Sequence, residues 1–415
     1  MSSIKVKEIT SDQTMKSETR NSVCSARSLV DLNDTRANSS KKKYRSLLTS
    51  IQKKCSAAEE DPDVGIFHKA ICKNDEEKVR RMLDNGMDPN AEEIHSRKIP
   101  LIEATKRGFD KIVRTLLIAH ADVNRCNHQG TTALHACMRP TNFNQEIIQL
   151  FLECRNANFN IQDKLTGSSP LHILTRNLES RTIKTVSLEK VKAILEELVP
   201  RCNINLKDVM GNTPLHILAK GKEDDVETVE IFLSGKPDVN VRNHLGETPL
   251  ATAINNGNYK MALAILKHDV DLGIRDRYEC TALHHAARKN SVLLVAKLLE
   301  KGSDVNAQDP RGDTALHIAA GRGLVDVATV LLEHPEVNIN KQNEDGFTPL
   351  MCAVDSYFTK IVKMLLDKNC DLDIKSDQVN KDALDIAKEH LIKRKKRDIY
   401  QLLCEKKNIS KKQNF

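Results

Sequence analysis

Six histidines recur along the chain: His68, His135, His172, His216, His284 and His317. Imidazole is the side chain best suited to move protons near neutral pH, and it is the commonest metal ligand. A catalytic or metal-binding set, however, requires such groups to converge on one point. The gaps between these residues are 67, 37, 44, 68 and 33, so they occupy one position of a repeated unit. Equivalent residues in a stack of helical units lie about 10 Å apart, the packing distance of helices, too far to share an ion or a proton. A structural role follows. The chain also lacks a Gly-rich phosphate loop, a paired-carboxylate motif, a His-Glu-x-x-His helix and a nucleophile elbow. No catalytic residue, cofactor, metal or small-molecule substrate is expected, and the chain does not read as an enzyme.

The elements that place these histidines are legible around them. Each lies three residues after an opening residue, a Thr or Ser in five cases: Thr132, Ser169, Thr213, Thr281 and Thr314. Weaker openings stand at Ile99, Thr248, Thr348 and Asp382, and Gly65 takes the place in a degenerate first copy. Successive openings are 34, 33, 37, 44, 35, 33, 33, 34 and 34 residues apart. In the unit opening at Thr314, the hydroxyl suits a helix N-cap. Leu316, Ile318, Ala319 and Ala320 predict a short first helix, and Gly323 predicts a tight turn. Val327, Val330, Leu331 and Leu332 then give the apolar face of a second helix. A Gly two residues before most of the next openings suits a hairpin between units. Two short helices bury little alone, so stability must come from stacking.

A period near 33 residues opening on Thr-(Ala/Pro)-Leu-His-x-Ala resembles the ankyrin repeat family, over ten units and about four-fifths of the chain. The resemblance implies an all-α solenoid of stacked helix–turn–helix units with short β-hairpin fingers. It implies that each repeated His bonds the finger backbone. It also implies a protein partner on the concave face formed by fingers and first helices. The repeat domain is expected over 63–405. A basic, mostly disordered region is expected over 1–62, and a polar tail over 406–415. Within the first region, Tyr44, Leu47, Leu48, Ile51 and Cys55 fall on one helical face, which predicts a helix over 41–58. The unit opening at Ser169 carries an excess of 11 residues, placed at 177–187 as an exposed loop.

Composition narrows the compartment and the partner. Eleven scattered cysteines without a Cys-x-x-Cys suggest reduced intracellular thiols. No apolar run reaches signal-peptide or membrane-span length. A cytoplasmic protein is expected, monomeric alone, with the nucleus as a second location. The basic run Lys393, Arg394, Lys395, Lys396 and Arg397 resembles a nuclear-import signal, against the plainer reading of a solvated face. Residues 1–60 carry 12 Lys/Arg against 7 Asp/Glu, and residues 381–415 carry 11 against 5. The stretch between them carries 41 against 45, so the basicity belongs to the ends. With no Trp and 3% aromatics there is no base-stacking platform, and nucleic acid is not the expected partner.

The seventh residue after successive openings is Lys106, Arg139, Arg176, Lys220, Asn255 and Arg288, and Arg322 follows one place later in the next unit. Equivalent positions stack, so these residues form a candidate solvent-exposed basic stripe for an acidic or phosphorylated protein segment. The plainer reading is a family habit of polar residues at this place. Leu165, Val209, Met210, Leu245 and Tyr278 are expected on exposed fingertips as apolar contacts. Asn124, Asn240 and Asn306 resemble the asparagines that hydroxylases modify in ankyrin proteins. The plainer reading is that they satisfy their own loop backbone. The functional expectation is an intracellular scaffold or adaptor. The alternatives are a transcription-factor regulator of the inhibitor-of-NF-kappa-B type, whose Asp-Ser-Gly-x-x-Ser motif is missing, and a ubiquitin-ligase substrate adaptor.

Overall fold

The computed structural model describes residues 62–93, 96–179, 188–221, 226–377, 380–394 and 397–413. Among these residues twenty α-helices follow one another as ten pairs. The first helices are α1 Pro62–Cys72, α3 Pro100–Lys106, α5 Ala133–Cys137, α7 Pro170–Glu179 and α9 Pro214–Lys220. They continue as α11 Pro249–Asn256, α13 Ala282–Arg288, α15 Ala315–Arg322, α17 Pro349–Asp355 and α19 Ala383–Arg394. The second helices are α2 Glu76–Asp84, α4 Asp110–Ile118, α6 Gln145–Glu153, α8 Leu188–Leu198 and α10 Val226–Ser234. The remainder are α12 Tyr259–Ile265, α14 Val292–Glu300, α16 Val325–Glu333, α18 Thr359–Asp367 and α20 Asp398–Gln413. First helices pack on neighbouring first helices and second on second, which makes two layers.

The openings start the helices for the expected reason. Thr132, Thr213, Thr281 and Thr314 are N-caps in capping boxes completed by the histidine three residues on. The cap N–H donates to His Nδ1 at 3.1–3.2 Å. Histidine thus takes the part that Glu or Gln plays in the usual box. Pro100, Pro214, Pro249 and Pro349 occupy the first turn, where the missing N–H costs nothing. The Leu two residues after the opening is buried in unit after unit, from Leu134 to Leu350. Ala286, Ala287, Ala319 and Ala320 are fully buried and let first helices approach closely. Second helices bury i, i+1, i+4 sets such as Ile112, Val113, Leu116 and Leu294, Val295, Leu298. One apolar cluster runs from Phe67 to Leu403.

Gly323 shows how tightly the turns are built. It closes α15 at φ 73, and a Cβ there would lie 2.4 Å from the Phe358 ring of the next unit. Gly323→Ala combines left-handed strain with a clash. It should destabilise by about 1–3 kcal/mol, read as a lower midpoint in chemical unfolding. A midpoint equal to wild type would mean that Phe358 does not hold this place.

Several expectations need adjustment. The fingers are turns closed by two backbone bonds, such as Asp208 N to Asn212 O at 2.9 Å with Gly211 N to Asp208 O at 2.8 Å, and Asp309 N to Asp313 O at 2.9 Å with Gly312 N to Asp309 O at 2.8 Å. That is too short for a ladder, and no strand occurs among the described residues. The first helix already includes Pro62, before Gly65, and Pro62 is the first described residue. Asn177 is not in a loop: α7 continues through Glu179, and the buried Asn177 amide donates to the Met138 carbonyl of the preceding unit. Residues 180–187 of the expected insertion lie outside the described residues. The helix expected at 41–58 also lies outside them, as does much of the 393–397 run: Lys395, Lys396 and the side chains of Lys393 and Arg394. The tail expected from 406 is instead part of α20, which reaches Gln413. Lys407 anchors it to Asp373 at 2.8 Å and Asp382 at 3.4 Å, and Lys406 anchors it to Asn369 at 3.1 Å.

Candidate protein-binding face

The site is built from the fingers and the ends of the first helices. Among the described residues, seven fingers turn on an Asp or Asn five or six residues before the next opening: Asn127, Asp163, Asp208, Asn243, Asp276, Asp309 and Asn343. In each, Oδ1 accepts the N–H groups two and three or four residues on. Asp208 receives Met210 and Asn212 at 2.9 Å, and Asp309 receives Arg311 and Asp313 at 3.0 and 3.1 Å. These side chains make the turn that two or three further backbone groups would otherwise leave open.

Neighbouring fingers are then joined by single backbone bonds. Val209 N donates to Thr166 O at 2.9 Å, His244 N to Met210 O at 3.0 Å, and Arg277 N to Leu245 O at 2.8 Å. Gly346 is required where the fingers meet, because a Cβ would stand 2.2 Å from Asp377 N. The repeated histidines complete the register. Their Nε2 atoms lie 3.0–3.2 Å from carbonyls of the following finger, at Ser168, Asn212, Glu247, Asp313 and Phe347. A carbonyl only accepts, so Nε2 carries the proton and Nδ1 accepts from the cap. Burial pushes all five rings below the ordinary imidazole value, His216 to about 4. They are neutral tethers. In the first copy His68 reaches Ala91 O at 2.8 Å, while its buried Nδ1 has no partner among the described residues.

The basic stripe divides into two kinds of residue. Lys106, Arg139 and Lys220 are exposed and have no carboxylate partner among the described residues. Arg176 and Arg288 are half-buried and reach the finger of the following unit. Arg176 Nη2 lies 3.6 Å from Asp208 Oδ2, and Arg288 Nη2 lies 2.6 Å from Asp309 Oδ2. The expectation that the whole stripe is solvent-exposed therefore fails at these two positions. Both acids are buried, and a buried carboxylate needs a nearby donor. Arg322 is exposed and donates to the Arg288 carbonyl at 3.3 Å. The apolar fingertips are open: Leu165, Val209, Met210, Leu245 and Tyr278 are 41–78% exposed. The inter-finger bonds put them side by side.

The side chains of Asn124, Asn240 and Asn306 do not bond their own loops, where Asp122, Asp238 and Asp304 are the side-chain acceptors instead. Each Asn bridges to the next unit. Oδ1 of Asn124 accepts from Asn158 N at 2.7 Å and its amide donates to Asn156 O at 2.8 Å. Asn240 bonds Asp271 and Asp269, and Asn306 bonds Asn338 and Glu336, in the same way. Their amides hold adjacent units in register, so a modifying enzyme would have to open that contact. Two features were missed in the sequence. His285, next to the repeated His284, is buried and lies 2.8 Å from Asp276 Oδ2. Around Gly321 a notch is floored by Ile318, Phe347 and Cys352 and rimmed by Arg311, Arg322 and Asp345. Gly321, which takes the stripe position in its unit, was its one sequence signal.

Among the described residues no cluster could hold a metal ion, and no helix is long and apolar enough to cross a membrane. Comparison with known proteins agrees with the geometry. A family model for ankyrin repeats in three copies matches residues 67–163, 185–276, 217–309, 283–376 and 316–414. The chain is 28% identical over 188 residues to an ankyrin repeat protein of Acanthamoeba polyphaga mimivirus, covering 41% of this chain and 24% of that one. It is 27% identical over 222 residues to human Inversin, covering 46% and 20%, and 25% identical over 215 residues to human SH3 and multiple ankyrin repeat domains protein 2, covering 46% and 11%. The chain thus spans a quarter or less of these relatives' lengths. The matched ranges run over the same units whose capping boxes, histidine tethers and stacked fingers are described above, and the chain belongs to the ankyrin repeat family, whose repeats bind protein partners.

Proposed function

We propose that the chain is a scaffold or adaptor that holds a protein partner against its fingers and first-helix ends. The observation that carries this reading is the run of apolar fingertips from Leu165 to Tyr278, exposed on bonded neighbouring fingers, together with the exposed cations Lys106, Arg139 and Lys220, which have no carboxylate partner among the described residues. Exposed apolar side chains grouped on one edge mark interaction surfaces, and rim charges steer encounter. Asn124, Asn240 and Asn306 as hydroxylation sites, and 393–397 as an import signal, belong to the same proposal as possible regulation of that binding. Affinity capture from cells, read by mass spectrometry, tests it. Met210→Ser with Tyr278→Ser should lose the captured partners with unchanged thermal unfolding, because both side chains are more than half exposed. Leu293→Ser, equally exposed but on second helix α14, should retain them. Retention by the fingertip variant together with loss by Leu293→Ser would move the binding face to the second helices.

A further inference from the structure

The two kinds of stripe cation follow whether the next fingertip offers a free carboxylate oxygen. In every complete finger the inner atom of the Asx side chain, Oδ1, is used up in closing the turn. Only the outer atom differs. In Asp208 and Asp309 it is Oδ2, and it faces Arg176 and Arg288. In Asp276 it faces His285. After Lys106 and Lys220 the fingertips are Asn127 and Asn243, which keep the same Oδ1 bonds at 2.9–3.1 Å. Their outer atom is an amide nitrogen, a donor that cannot take a cation; in Asn243 it donates to Asn212. After Arg139 the fingertip is Asp163, but its Oδ2 already accepts the Thr166 hydroxyl at 2.5 Å and Ser168 N at 3.2 Å.

We infer that a free outer carboxylate oxygen on the next fingertip, or its lack, sets which stripe cations are neutralised within the fold and which stay open, and that the open set, Lys106, Arg139 and Lys220, receives an extended acidic protein segment. This rests on the proposed binding face and specifies its ligand. The open cations belong to the second, third and fifth units. At about 10 Å per unit and about 3.3 Å per residue of extended chain, the matching carboxylates stand at roughly i, i+3 and i+9. The segment skips the fourth unit, where Asp208 occupies Arg176. A nucleic acid fits less well. Between residues 61 and 380 the chain carries 45 Asp/Glu against 41 Lys/Arg, and that net negative charge repels a dense polyanion.

The test uses two isosteric exchanges that keep the turn-closing Oδ1. Asn127→Asp should give Lys106 an internal partner, and Asp208→Asn should remove one carboxylate that faces Arg176. The probe is a fluorescent Gly/Ser peptide with Glu at i, i+3 and i+9, titrated by anisotropy against the full chain at low ionic strength, with a Gln-substituted peptide as control. Asn127→Asp should weaken binding about two- to five-fold and Asp208→Asn should strengthen it by a similar factor, the range of single exposed charge pairs. Circular dichroism should show both variants folded. Equal affinities, shifts in the same direction, or no difference between the Glu and Gln probes on wild type would each overturn the inference. None of these outcomes would touch the capture result for Met210 and Tyr278. Conversely, a failed capture experiment would remove the wider reading and leave opposite shifts here unexplained by it.

Discussion

Between pH 6.5 and about 4 the folded repeats should lose stability steeply, and most of that loss should come from the neutral histidine tethers. Desolvation by burial is the main cause of the lowered value at His216, reinforced by Lys220 and Lys207 and opposed by the Glu247 carbonyl and Asp208. Its folded value is about 4 against an ordinary 6.5. A base with a depressed folded value binds fewer protons when folded than when unfolded. Stability therefore rises with pH across that window, is complete above about 6.5, and falls as pH drops towards 4. For His216 alone the loss is about 3 kcal/mol. His135, His172, His284, His285 and His317 shift in the same direction for the same first cause. Asp163, whose value is lowered by Thr166, Leu165 and Ser168 against its burial, adds a loss only below the ordinary carboxylate range. Neighbouring units stabilise one another in such an array, so the transition should be sharp. Urea midpoints measured from pH 7.5 to 4.5 should stay level down to about 6.5 and fall from there. His216→Gln, which cannot titrate, should lower the midpoint at pH 7.5 and flatten its pH dependence. A midpoint that stays level down to pH 5 would mean that the tethers are not buried neutral rings.

The tethers were readable in advance because everything they need is local or repeats at a fixed period. A Thr caps the helix, the His three residues on reaches back to it, and the following finger arrives one period later. The apolar face of each second helix is likewise a matter of spacing within a few residues. What could not be read depends on contacts outside that period, or on one atom of a side chain. Arg176 and Lys220 occupy the same register and look alike in sequence. Only the Oδ2 of Asp208 against the Nδ2 of Asn243 separates them, and nothing near either cation announces it. His285 adjoins a tether residue and could equally have faced solvent; Asp276, nine residues earlier, draws it inward. The helical course of residues 406–413 follows from Lys406 and Lys407 reaching back to Asn369, Asp373 and Asp382, while the local composition is that of a polar tail.

Arg288 and Lys220 should therefore respond very differently to the same truncation. Arg288 joins three consecutive parts of the array. Nη1 reaches Cys280 Sγ of its own finger at 3.0 Å, Nη2 reaches Asp309 Oδ2 of the next at 2.6 Å, and its carbonyl accepts from Arg322 at 3.3 Å. The Asp309 side chain is 2% exposed, so Arg288→Ala would leave a buried carboxylate without its cation. Removing one member of a fully buried pair costs about 3–5 kcal/mol. Arg288 itself keeps 26% of its side chain in solvent, and water can partly replace it, which brings the expected loss to about 2–3 kcal/mol. The contact between the units opening at Thr281 and Thr314 is where that loss falls. Hydrogen exchange should accelerate first around Asp309 to Asp313 and α15. Lys220→Ala removes an exposed cation with no carboxylate partner among the described residues and should stay within about 0.5 kcal/mol of wild type. Arg288→Ala with Asp309→Asn should recover part of the loss, because the buried charge is then gone while the Oδ1 bonds to Arg311 and Asp313 remain. Should the two alanine variants unfold at the same urea concentration, the Arg288–Asp309 pair would be an exposed surface contact and not a clamp between units.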